Sequence, residues 1–125
     1  MSLNPAAPAP GAFLCRLDEL PDPGARGFRF EAGEAAFRGF VLRRGERVTG
    51  FIDSCPHTGG PLSPDGDRYL TRDGKLLLCF QHGAMFTLDG QCIAGPCVSR
   101  TLRPWAVELR DGALVAGLMT ECASP

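Results

Sequence analysis

The sequence predicts an all-β domain of short antiparallel strands, arranged as a sandwich or partial barrel. Glycine and proline are abundant, 16 and 11 among 125 residues, which suits a chain of many turns. Asp-Gly pairs recur at Asp73-Gly74, Asp89-Gly90 and Asp111-Gly112, each between two short apolar runs, as tight hairpins require. No segment sustains a helical period, whereas several alternate apolar and polar residues with period two.

The elements follow in order. Residues 1–11 are rich in Ala and Pro and predict a loose tail. A single domain is expected over 12–118, with a second tail at 119–125, since 125 residues suit one core. The first strand is read at 12–16, AFLCR. In 27–32, GFRFEA, Phe28 and Phe30 alternate with Arg29 and Glu31, which marks a strand with one apolar face. The run 36–44 continues in β-forming residues and ends at the turn signal Arg44-Gly45. The run 47–54, RVTGFIDS, leads to the first cysteine-histidine motif. RYLTR and KLLLCF flank Asp73-Gly74, AMFTL and QCIA flank Asp89-Gly90, and WAVELR and ALVAGLM flank Asp111-Gly112. Asp18 to Leu20 can form one helical turn. Phe28, Phe30, Phe37, Phe40, Phe51 and Trp105 are the expected core aromatics.

Composition excludes several function classes. Net charge is −1, so neither nucleic acid nor an anionic membrane is an expected partner. No apolar run reaches the ~18 residues of a membrane helix. The N-terminal run lacks a basic region and is broken by prolines, so no secretory signal is expected. Phosphate-binding glycine motifs are absent. Six cysteines in such a chain should stay reduced, which points to the cytosol and to metal binding before a disulfide framework.

The two histidines of the chain each follow a cysteine closely. Cys55-x-His57 lies in CPHTGG, and Cys79-x-x-His82 lies in CFQHGA. Both motifs end strands, and the adjoining Pro56, Gly59, Gly60, Pro61 and Gly83 favour tight loops. Two Cys and two His also suit a tetrahedral zinc, although zinc modules usually pair like ligands within one motif. Asp65, Asp67 and Asp73 read as a solvated connection between the motifs.

C-x-H followed by C-x-x-H, each continued by glycine, resembles the Rieske family of [2Fe–2S] proteins. The resemblance runs roughly from Phe51 to Pro96, within a cluster-binding part expected at about 51–98, and includes Gly95-Pro96, which matches the proline loop covering the family's cluster. It implies a Rieske-like fold with a cluster-binding loop subdomain. Cys55 and Cys79 would hold one iron, and His57 and His82 the other, with histidine edges facing an electron partner. Two thiolates leave the oxidised centre neutral, whereas four would leave it doubly negative. Mixed ligation therefore raises the potential, to about −150 to +300 mV against about −400 mV for plant-type clusters.

Within the family, high-potential members carry a disulfide between the ligand loops, and Gly60 and Gln81 stand at the matching positions. Those members also carry Ser and Tyr where this chain has Ala84 and Phe86. Hydrogen bonds to the sulfurs raise the potential, so their loss implies the low end of the range.

The implied function is a soluble low-potential Rieske-type ferredoxin. It would take electrons from a flavin reductase and pass them to an oxygenase or similar terminal enzyme. A small subunit of a nitrite reductase-like complex, or a structural or regulatory metal module holding zinc or a sensing cluster, are the alternatives. No histidine remains for the mononuclear iron of an oxygenase, so the chain itself is not expected to be an enzyme. Cys92 and Cys97 read as small apolar residues near the cover loop, with a redox pair or extra ligands as the other reading. Cys15 and Cys122 read as structural or free. Phe80 and Met85 would shield the cluster or rim the docking face.

Overall fold

The computed structural model describes residues 6–54, 62–63, 68–79, 83–95 and 100–117. Among them are ten strands: β1 (Phe13–Arg16), β2 (Gly24–Ala32), β3 (Ala35–Arg44), β4 (Arg47–Ile52), β5 (Leu77–Leu78), β6 (Met85–Phe86), β7 (Cys92–Ala94), β8 (Pro104–Trp105), β9 (Val107–Arg110) and β10 (Ala113–Ala116). The only helical piece among these residues is a 3-10 turn, Leu17–Glu19. The strands form three antiparallel sheets, ordered β1-β10-β9, β2-β3-β4-β8 and β5-β6-β7. The all-β expectation holds. No helix among the described residues is long and apolar enough to cross a membrane.

The Asp-Gly pairs at 73–74, 89–90 and 111–112 each turn the chain. Asp111 and Gly112 both have positive φ, 51° and 77°, the backbone twist that a two-residue hairpin between β9 and β10 needs. At Asp73-Gly74 the carboxylate accepts from the Thr71 hydroxyl at 2.6 Å and the Lys75 amide at 3.0 Å. These bonds to the charged form hold the exposed Asp73 carboxyl below its ordinary range. Gly90, at φ 94°, lets the chain return from β6 to β7.

The period-two pattern of β3 and β4 explains how the sheets are joined. On one face Phe37 and Val41 of β3, with Val48 and Ile52 of β4, pack into a core with Leu14, Cys15, Leu114 and Trp105. On the other face Phe40 and its cross-strand partner Phe51 enter a second core with Leu62, Tyr69, Leu77, Cys79, Ala84, Phe86, Cys92 and Leu102. One sheet thus serves as the wall between two cores, and β3 is buried from both sides. The first core joins the four-stranded sheet to β1-β10-β9. The second joins it to β5-β6-β7 and the loop ends.

Two details were not legible beforehand. WAVELR is not one strand: Trp105 pairs with Gly50 in the four-stranded sheet, while Val107 pairs with Ala116 in the next sheet. The chain changes sheet at Ala106. Within residues 6–11, two positions make contacts with the rest of the fold. Ala6 is buried in the first core, and the Gly11 amide donates to the Ala116 carbonyl at 2.7 Å.

Trp105 fits only because two glycines make room. A Cβ at Gly39 would lie 2.5 Å from the indole Cε3, and one at Gly50 would lie 2.4 Å from the Trp105 carbonyl oxygen. Gly39→Ala should therefore overpack the first core and cost about 1–3 kcal/mol. The measurement is urea unfolding followed by emission of Trp105, the single tryptophan. The expected outcome is a lower midpoint with an unchanged slope.

Candidate metal centre

Three loops leave the second core, and hydrogen bonds close each at its neck, from a side chain in loop 1 and between backbone groups in loops 2 and 3. Loop 1 departs after Asp53 and returns at Leu62. The Leu62 amide donates to Asp53 Oδ1 at 2.8 Å. Loop 2 lies between Cys79 and Ala84. The Cys79 amide donates to the Ala84 carbonyl at 2.8 Å, and the Gly83 amide to the Cys79 carbonyl at 3.0 Å. Gly83 sits at φ 72°, a conformation that a side chain disfavours. Loop 3 follows β7. The Cys92 amide donates to the Arg100 carbonyl at 2.8 Å, and the Leu102 amide to the Gly90 carbonyl at 2.7 Å.

The necks are neighbours. Leu62, Cys79, Ala84, Cys92 and Leu102 share one core. Gly95, at φ 93°, runs directly over Ala84 at the loop 2 neck, because a Cβ there would lie 2.8 Å from the Ala84 Cα. Both the conformation and the close approach require glycine.

Of the four expected ligands, only Cys79 is among the described residues. It is buried and is a free thiol. It lies in the second core among mostly apolar side chains, with the Tyr69 hydroxyl and the buried Asp53 carboxylate at that core's edge. A thiolate in such surroundings needs a compensating positive charge, and a bound metal supplies one. The position therefore fits a metal-bound thiolate, and no other described Cys, His, Asp or Glu cluster competes for a metal. Cys55, His57 and His82 lie outside the described residues, as do Gly60, Gln81, Phe80, Pro96, Cys97, Cys122, Asp65 and Asp67. Ala84 and Phe86 are fully buried beside the loop 2 neck, and neither side chain can donate a hydrogen bond. Met85 is half-buried between them.

Two buried polar residues beside the loop necks escaped the sequence reading, Asp53 and Tyr69. Asp53 is only 5% exposed, and its other carboxylate oxygen, Oδ2, accepts from the Tyr69 hydroxyl at 2.8 Å. Burial pushes the Asp53 carboxyl above its ordinary range, against the Leu62 and Tyr69 hydrogen bonds and the nearby Arg38 charge. The one available signal was an acidic residue closing the apolar strand GFID, two positions before a candidate ligand.

The cysteines require one correction. Cys92 packs into the core as expected, but it is disulfide-bonded, with its partner outside the described residues. The expectation that all six cysteines stay reduced fails there. Cys15 is a free, buried thiol in the first core, and burial is the main cause that raises its pKa.

A family model described as the Rieske [2Fe-2S] domain matches residues 12–115. A search of the curated proteins found no significant match. Among solved structures, the ferredoxin of carbazole 1,9a-dioxygenase from Nocardioides aromaticivorans IC177 superposes with a TM-score of 0.68 at 20% identity, covering 89% of this chain and 100% of that one. The complex of reduced oxygenase and oxidized ferredoxin in carbazole 1,9a-dioxygenase matches with a TM-score of 0.65 at 26% identity, over 86% of this chain and 94% of that one. The terminal oxygenase of the Nocardioides aromaticivorans IC177 system gives 0.70 at 18% identity, over 93% of this chain but 32% of that one. The first and third likenesses are likenesses of fold.

The cysteine assignments predict distinct reactivities. In native protein at pH 8, iodoacetamide should leave Cys15 unmodified, because a buried thiol with a raised pKa offers almost no thiolate. After denaturation without reductant, Cys15 should be alkylated while the Cys92 peptide remains blocked until a reductant is added. Peptide mapping by mass spectrometry reads both.

Proposed function

Because the chain belongs to the Rieske [2Fe-2S] domain family, whose domain binds a [2Fe–2S] cluster, we propose that it is a one-electron carrier serving an oxygenase or a related terminal enzyme. The folded unit is read as residues 12–118. The observation that carries this reading is the meeting of three loop necks on one apolar core, with a free, buried cysteine at the second. Cys55 and Cys79 are assigned to one iron, and His57 and His82 to the other. Bound there, the cluster supplies reversible one-electron chemistry.

The protein's own residues do the rest. The loop 2 neck holds the Cys79 backbone through two hydrogen bonds, so its thiolate is presented from a fixed position. Ala84, Phe86 and Leu62 exclude water from that side of the thiolate. Since Ala84 and Phe86 offer no hydroxyl, neither stabilises added negative charge on sulfur, and a potential near about −150 mV follows. With both histidines used as ligands, none is left in these residues for a second, oxygen-activating iron. Oxidative chemistry is therefore assigned to a partner protein. The printed name of one similar structure, a complex of oxygenase and ferredoxin, supports an oxygenase as that partner. A flavin reductase as donor and a cytosolic setting belong to the same reading.

Anaerobically purified protein should contain about two irons and two acid-labile sulfides per chain. It should be coloured, and it should become paramagnetic on one-electron reduction. Redox titration should give a midpoint near about −150 mV. His82→Cys should lower that midpoint, because a thiolate adds a negative charge that opposes reduction. A colourless protein with stoichiometric zinc, or a midpoint well above zero, would overturn the proposal.

A further inference from the structure

A carboxylate is costly to bury, and Asp53 is buried. Its backbone is fixed to the four-stranded sheet, since the Asp53 amide donates to the Arg38 carbonyl at 2.9 Å. Its two oxygens reach in different directions. Oδ1 takes the Leu62 amide and so ties the exit of loop 1 to its entrance. Oδ2 takes the Tyr69 hydroxyl.

Tyr69 is itself held from two sides. Its ring stacks on Phe40 with centroids 4.2 Å apart and planes 15° apart. Its carbonyl accepts the Leu78 amide at 2.8 Å, one residue before Cys79. The contacts run without a break from the root of loop 1, through one carboxylate and one phenol, to the strand that presents Cys79.

We propose that Asp53 is a positioning residue that clasps loop 1 shut and sets it in register with loop 2, so that ligands from two separate loops meet one cluster. This rests on the assignment of the ligands to Cys55, His57, Cys79 and His82. The carboxylate touches no reacting atom in this account. It acts through Leu62 and Tyr69. Hydrogen bonds to a charged acceptor are the stronger kind, so losing both should be felt in how tightly the cluster is kept.

The test compares the full chain, purified with its cluster, as wild type, Asp53→Ala, Asp53→Asn and Tyr69→Phe. Cluster release to an iron chelator is followed by visible absorbance, and ligand geometry by visible circular dichroism. Asp53→Ala should release its cluster about tenfold faster and alter the dichroism bands. Asp53→Asn keeps an oxygen for the Leu62 amide and should restore most of the retention. Tyr69→Phe removes one donor with little change of shape and should fall between, which keeps the test decisive if Asp53→Ala does not fold. Equal release rates in wild type and Tyr69→Phe, or Asp53→Asn failing as badly as Asp53→Ala, would overturn the clasp while leaving the electron-carrier reading intact. Wild-type protein free of iron and sulfide would overturn that reading, and the clasp with it.

Discussion

The organisation of this molecule depends on β3 being buried on both faces. Strands in antiparallel sheets commonly keep one face in water. Here Val41 and Phe40, adjacent in sequence, are both fully buried, one in each core. The sheet that carries them cannot shift register, since a one-residue slip would exchange the contents of the two cores. Pairing along β3 fixes Phe51 opposite Phe40, and Phe51 lies two residues before Asp53. The rigid wall therefore determines where loop 1 begins.

The second core reads as a foundation for loops more than as a store of stability. Its contributors are short: β5 and β6 have two residues each and β7 has three. Short strands leave little sheet to hold them, and isolated hairpins of this size are marginal in water. Side chains make up the deficit. Phe86, Leu77 and Leu62 are fully buried, and Tyr69 lies flat on Phe40. The same apolar packing lowers the local dielectric around Cys79, so that charge placed on its sulfur is felt strongly.

The sequence revealed the strands because their periodicity survives burial on one face, as in Phe28 and Phe30 of β2. It revealed the hairpins because Asp-Gly pairs have few other uses. The spacing of the Cys and His residues pointed to a metal, and Cys79, the member of that set among the described residues, stands at a loop neck. The break at Ala106 was invisible because WAVELR alternates evenly across it, and nothing local marks a change of partner strand. Asp53 was invisible for another reason. An acidic residue at a strand end is ordinarily solvated, and only the returning Leu62 amide and a distant tyrosine make its burial tolerable. The disulfide at Cys92 depends on spatial proximity, which cysteine spacing alone does not give.

The hydrogen bonds Gly11–Ala116 and Ala116–Ala12, at 2.7 and 2.9 Å, bring the chain just before β1 and the end of β10 side by side. They lie on the sheet β1-β10-β9, whose buried described residues belong to the first core. A unit whose two ends sit together can be spliced into a larger polypeptide with little disturbance to either. The terminal oxygenase that shares this fold over only 32% of its own length shows such modular reuse in another protein. In evolutionary terms the geometry makes the module portable, for the same fold fills all of one short chain and a third of a longer one.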